Sequence, residues 1–200
     1  MIERRYIEES FPVKEISAES LKEKSIRHGH ISTLHIWWAR RPLASSRATI
    51  YASLIPAPEN DRERKRIEQD IITLSRWQNS LNTRVTEKAR RRILEANNGE
   101  QPRILDPFAG GGAIPLEALR LGCETHAGEY NPVAVLILKC TLEYPQKYGG
   151  LSEEGWGHMK SASKNPLLED VKKWGNWVLE EAKKEIGRFY PQEEDGSIPV

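Results

Sequence analysis

Hydrophobic and polar positions change texture three times along this chain. Residues 1–24 mix charged and apolar groups with little period, and Phe11-Pro12 interrupts them; a short helix capped by Ser17 is expected to Lys24. Small and apolar residues then recur from Leu43 to Leu54 behind Pro42, which predicts a helix opened by that proline and closed at Pro56-Ala57-Pro58. Residues 59–98 are highly charged, but Ile67, Ile71, Leu74 and Trp77 fall at spacings of 4, 3 and 3. Two helices, Asp61–Gln78 and Val85–Ala96, turning near Asn79-Ser80-Leu81-Asn82, fit that pattern. From Pro102 the texture becomes α/β: a short buried strand at 103–106, a helix at 113–121, a strand at 124–129 and a helix at 132–142. After Pro145 comes a loop with Gly149, Gly150, Gly155 and Gly157. A helix from Pro166 to Gly187 follows, with Leu168, Val171, Trp174, Val178 and Ala182 along one face, and then a polar tail after Pro191.

The chemistry concentrates where the first strand ends. Asp106-Pro107-Phe108-Ala109-Gly110-Gly111-Gly112 closes a strand with a carboxylate and turns through three glycines, and glycine permits both positive φ and close backbone approach. Glu129 lies seventeen residues past Gly112, at the offset where open α/β folds grip a nucleoside ribose. A dinucleotide fingerprint is a poor fit, because Pro115 takes the place of the third glycine and Asp106 would sit beside a pyrophosphate. No G-K-[ST] follows, which excludes a P-loop. A cationic cofactor without phosphates suits the acids better. S-adenosylmethionine is such a molecule: Asp106 would hold its methionine end, Gly110 and Gly112 would let that end lie close, Glu129 would take the ribose hydroxyls, and Phe108 would shape the pocket.

Composition narrows the setting. The chain is 38% hydrophobic and 30% charged, with a mean hydropathy of −0.63. No run approaches the roughly eighteen apolar residues of a membrane span, and no signal-like segment opens the chain. Two cysteines without CxxC spacing, Cys123 and Cys140, fit buried free thiols in a reducing compartment, so a cytoplasmic location is expected. Residues 1–103 hold 20 Lys and Arg against 14 Asp and Glu, whereas residues 104–200 hold 10 against 15. A basic front half suits a phosphate backbone, and Arg40, Arg62, Arg66 and Arg91 are candidates to meet one. His28, His30 and His35 have no cysteine or carboxylate at ligand spacing, so no metal site is expected.

The glycine turn resembles motif I of the amino-group DNA methyltransferases, D-P-F-x-G-S-G-T, with Gly111-Gly112-Ala113 in place of its Ser-Gly-Thr end. Glu129-Tyr130-Asn131-Pro132 is similar to that family's ribose-binding acid and the helix start after it. His30-Ile31-Ser32-Thr33-Leu34-His35-Ile36-Trp37-Trp38-Ala39-Arg40-Arg41-Pro42-Leu43 resembles the opening of large adenine-specific DNA methylases that carry a zinc ribbon and an N-terminal domain of unknown function. The likeness covers about residues 5–60 and 100–148. It implies a Rossmann-like methyltransferase fold of the α/β class, its parallel sheet incomplete in these residues, with a helical N-terminal region and a helical insert. It also implies that Arg41 and Pro42 complete the methionine side of the pocket, and that Pro107, Ala109, Tyr130 and Asn131 belong to the cofactor site. Trp37 and Trp38 could close over the cofactor or serve as packing. The organisation expected is an N-terminal region (1–58), a charged hairpin (59–99), a cofactor-binding core (100–148), and a loop and helix (149–200) leading to a further part.

The family's catalytic Asp/Asn-Pro-Pro-Tyr/Phe has no counterpart: Asn131-Pro132-Val133 and Asn165-Pro166-Leu167 lack the second proline and the aromatic residue. Two secure strands also fall short of the five or so that a doubly wound domain needs. The expectation is therefore the cofactor-binding N-terminal portion of a DNA methyltransferase directed at adenine N6. It should be inactive alone, needing DNA and either a C-terminal part or a partner subunit. An RNA methyltransferase portion and a non-catalytic module that binds nucleic acid or a partner are the alternatives.

Overall fold

Small residues let α3 (Leu43–Leu54) take the centre of the first compact unit. Leu43, Ala44, Ala48, Tyr51 and Ala52 are all buried on it, and short side chains admit neighbouring helices on several sides. The computed structural model describes residues 4–149 and 166–190. The chain divides into two compact units, 1–143 and 144–200. Its class is α/β, mostly helical with a small parallel sheet of two strands among the described residues.

Two helices precede α3. Tyr6–Glu9 form α1 and Val13–Glu23 form α2. The latter begins directly after Pro12, not at Ser17 as expected: proline has no N–H to leave unsatisfied at a helix entry, and its carbonyl accepts from Ile16 N–H at 3.0 Å. Pro42 likewise precedes the first turn of α3 and does not occupy it.

The charged hairpin folds as α4 (Asp61–Ser75) and α5 (Thr83–Ala96). Asn60 and Asn82 cap their N-termini through side-chain oxygens. α4 stops three residues short of Gln78 because side chains take its last carbonyls: Asn79 donates to Thr73 O at 2.8 Å and Arg47 to Leu74 O at 2.8 Å. Ile67, Ile71 and Leu74 share one core with Tyr6, Ile16 and Tyr51, with Ala89 and Ile93 of α5, and with Ala118 and Leu121.

The sheet is β1 (Arg103–Asp106) paired in parallel with β2 (Glu124–Ala127), Asp106 opposite Ala127. Between them runs α6 (Ala113–Arg120), which packs on both strands. β1 is not the buried strand expected. Side chains alternate across a sheet, so Ile104 meets the core while Leu105, on the other face, is 70% exposed. β2 ends two residues before Glu129, and α7 (Pro132–Leu138) gives way at Lys139 to a π turn that runs to Glu143. Cys123 is buried and Cys140 partly so; both are free thiols.

The second unit contains α8 (Tyr144–Tyr148) and α9 (Pro166–Ile186). Leu168, Val171, Trp174 and Val178 of α9 all stay at least half exposed. The expected loop glycines 150, 155 and 157 and the polar tail lie outside the described residues. No helix among the described residues is long and apolar enough to cross a membrane.

One polar contact spans the main core. Arg47 of α3 donates through Nε to Glu117 of α6, and both side chains are almost wholly buried. Glu117 also accepts from Arg120 at 2.5 Å. Removing one partner of such a pair strands a buried charge, at a cost of about 3–5 kcal/mol. Glu117→Leu should therefore lose about that much stability in urea denaturation, and Arg47→Met/Glu117→Leu should recover part of the loss.

Candidate active site

The glycine turn is built by the strands that enter it. The parallel ladder continues past Asp106, with Gly128 N–H donating to Asp106 O at 2.8 Å and Ala109 N–H to Gly128 O at 2.9 Å. Gly110 and Gly112 have φ of 51° and 81°, a region costly for other residues. What comes close to this backbone is Trp37. A Cβ on Gly110 would lie 2.7 Å from the Trp37 indole nitrogen, and one on Gly111 would lie 3.0 Å from Trp37 Cβ. At Gly112 the neighbour is Leu138, 2.9 Å from a Cβ there. Trp37 in turn stacks on Trp38 with ring centres 4.8 Å apart. The tryptophan pair is thus packing against the turn and at the same time a wall of the cleft beside it.

That cleft has a volume of about 380 Å³, inside the range of small-molecule sites. It is lined from one side by Trp37, Ala39, Arg40 and Arg41, and from the other by Asp106, Phe108, Ala109, Gly110 and Glu129. Gly111, Ala113 and Ile114 complete it. It lies at the carboxyl ends of the parallel strands, where open α/β sheets take ligands. Of the residues expected in a cofactor site, Pro42, Pro107, Gly112, Tyr130 and Asn131 do not line it. Pro42 borders a separate groove along α2, and Tyr130 is 98% exposed. Asn131 caps α7, accepting from Val133 N–H at 2.9 Å.

Glu129 holds the site together. Its Oε1 accepts from Tyr130 N–H at 2.8 Å and Asn131 N–H at 3.1 Å, and its Oε2 from Gly110 N–H at 2.7 Å. The N–H groups of Asn131, Gly110 and Tyr130 hold its carboxyl below the ordinary value of 4.5. A carboxylate offers about four acceptor positions, so roughly one remains for a ligand hydroxyl. Asp106 is less engaged, accepting from Phe108 N–H at 3.2 Å. Phe108 beside it is 84% exposed.

Sequence reasoning missed a buried polar chain behind Arg40. Glu23, at the end of α2, accepts from Leu43 N–H and Ala44 N–H at 3.0 and 2.9 Å, and so caps α3 from another helix. The same carboxylate takes a hydrogen bond of 2.9 Å from His30 Nε2. Burial pushes the Glu23 carboxyl up, but His30 and the two N–H groups outweigh it and hold it below its ordinary value. His30 Nδ1 lies 3.0 Å from Arg40 Nη1 and 3.1 Å from Ser32 N. The signal was one Glu of three in α2 and a His among three, with nothing in sequence to join them.

The candidate nucleic-acid residues do not gather at the cleft apart from Arg40. Arg62 and Arg66 lie on exposed α4 and Arg91 on exposed α5. Arg66 is 3.6 Å from Glu63, which Arg92 also reaches at 3.2 Å. Arg62 and Arg91 form no ion pair among the described residues.

A family described as a protein of unknown function (DUF1156) matches residues 10–79, the stretch from α2 to the turn after α4. No curated protein and no solved structure matches the chain.

Glu129 gives the site a measurable acid limit. Its folded carboxyl titrates below its unfolded value, so its contribution is full above about pH 4.5 and is lost as pH falls through the folded pKa. The amide resonance of Gly110 should titrate below pH 4.5, and Glu129→Gln should remove that titration.

Proposed function

We propose that this chain is the cofactor-binding portion of an S-adenosylmethionine-dependent methyltransferase of Rossmann-like build, directed at the N6 amine of adenine in DNA. One observation carries the reading: a strand-end acid, a glycine turn and a second acid converge on a single cleft, with two arginines on the facing wall. The residues fit the group. The cleft carries both charge signs, as a ligand with an ammonium, a carboxylate and a sulfonium requires. Asp106 would hold the ammonium end, Glu129 would accept a ribose hydroxyl with its remaining acceptor position, and exposed Phe108 would lie against an apolar part.

When bound, the cofactor supplies a methyl group already activated on sulfur. The chain's own residues bind and orient it. Transfer to an exocyclic amine also needs a group that accepts the amine's hydrogen bonds and an aromatic residue that stacks on the base. These 200 residues contain no Asp-Pro-Pro or Asn-Pro-Pro. The proposal is therefore binding without turnover by this chain on its own. The excess of basic over acidic residues in 1–103 supports a nucleic-acid partner, with DNA favoured by the resemblance of the His30–Leu43 segment.

S-adenosylhomocysteine should raise the Tm of the protein, and Asp106→Ala should abolish the rise while leaving the unliganded Tm within a few degrees. A shift that survives Asp106→Ala would overturn this assignment of the site. Nucleic-acid contact has a separate measurement in the salt dependence of binding to duplex DNA and to RNA. If Arg62 and Arg91 each meet a phosphate, replacing either with alanine should make the slope of log K against log salt on DNA shallower by about 0.9. Preference for RNA over duplex DNA would instead favour an RNA substrate.

A further inference from the structure

We infer that buried His30 is a positioning residue that presets Arg40 as the anchor for the carboxylate of the ligand in this cleft; the inference rests on the cofactor reading above. Three geometric facts lead there. A guanidinium has donors and no acceptor, so the 3.0 Å contact between Arg40 Nη1 and His30 Nδ1 requires a lone pair on Nδ1. Ser32 N–H points to the same atom at 3.1 Å, and the Ser32 hydroxyl, which can donate as well as accept, lies 2.9 Å from it. His30 is therefore neutral, with its proton on Nε2, and that proton goes to Glu23 Oε1 at 2.9 Å. The imidazole is 2% exposed, its ring centre is 5.4 Å from that of Trp77, and Glu23 is tied to the first turn of α3. Nothing in this chain of contacts is free to turn.

The consequence falls on the cleft. Arg40 and Arg41 are its two cations. Arg41 is exposed and forms no hydrogen bond or ion pair among the described residues, so fixing it on a ligand would cost its rotamer freedom. Arg40 is held before any ligand arrives, and one bond to His30 leaves most of its five donors for a planar two-oxygen acceptor. Asp106 and Glu129 across the cleft would repel a phosphate of two charges, whereas a carboxylate next to an ammonium matches the mixed wall. Arg40 and Asp106 would then divide the two ends of an amino-acid tail between them.

Two probes isolate that tail. S-adenosylhomocysteine carries it, and 5′-methylthioadenosine shares the nucleoside and thioether without it. Calorimetry on the wild-type chain should show both binding. Arg40→Gln should weaken S-adenosylhomocysteine about tenfold or more, the size of a lost charge-assisted hydrogen bond, and change 5′-methylthioadenosine less than twofold. His30→Leu should weaken the first probe selectively as well, and His30→Gln, whose amide offers both an acceptor and a donor, should restore part of it. Equal weakening of both probes by Arg40→Gln, or unchanged affinity for the first, overturns the inference and leaves the cofactor reading standing. If the wild type binds neither probe, both fail. Nitrogen-15 NMR of the wild type is independent of how the variants fold: at pH 7 His30 should be the neutral tautomer protonated on Nε2, and a proton on Nδ1 would overturn the inference.

Discussion

Arg47 reaches from the middle of α3 to Glu117 in the middle of α6, and the cleft depends on that crossing. One wall of the cleft, residues 37–41, runs directly into α3. The other, the glycine turn, runs directly into α6. The Arg47–Glu117 pair fixes the register of these two helices, and so the distance between the walls. A buried ion pair adds little net stability over well-packed apolar side chains. What it does is penalise other registers, because any slip leaves a charge unpaired where water cannot reach it. Arg47 extends the constraint to a third helix by taking the Leu74 carbonyl at the end of α4. The charged hairpin is thereby part of the frame around the site.

The parts legible in sequence are those whose causes are local. The strand, turn and helix from Arg103 to Arg120 follow from a short apolar run, positive-φ glycines and a helix start, all within a few residues of one another. The hairpin helices follow from the spacing of Ile67, Ile71 and Leu74, and the core uses those residues as the spacing implies. Illegible were the contacts made at long range by polar groups. Glu117 sits in a helix where a carboxylate would ordinarily face water, and its partner is seventy positions away. Glu23 looks like one more charge on a solvated helix, yet it caps α3 and anchors His30. Strand burial was misread because two apolar residues, Ile104 and Leu105, carry no information on how many faces of the strand are covered.

The same distinction decides which residues speak for a ligand. Glycines in such a turn invite a cofactor explanation, but here Trp37 lies against Gly110 and Gly111, and Leu138 against Gly112. Packing within the chain already requires all three. Glu129 is in part a structural residue as well, since three backbone N–H groups converge on it to join the end of β2 to the turn. These features would be selected whether or not anything binds. Their convergence shapes the cavity, and the two acids and facing arginines give it its mixed charge.

What folding leaves unexplained is narrower and more telling. Among the described residues the Asp106 carboxylate accepts a single long hydrogen bond, from a backbone N–H two residues on. Phe108 exposes most of its ring, and exposed Arg41 has no side-chain partner among the described residues. An acid, an aromatic ring and a cation line one cleft. On the same wall as Arg41 stands Arg40, which is hydrogen-bonded to a buried histidine that a buried glutamate holds in turn. In the cofactor site proposed above, the fold would bear the ordering cost of the Arg40 contact and the ligand would complete the others.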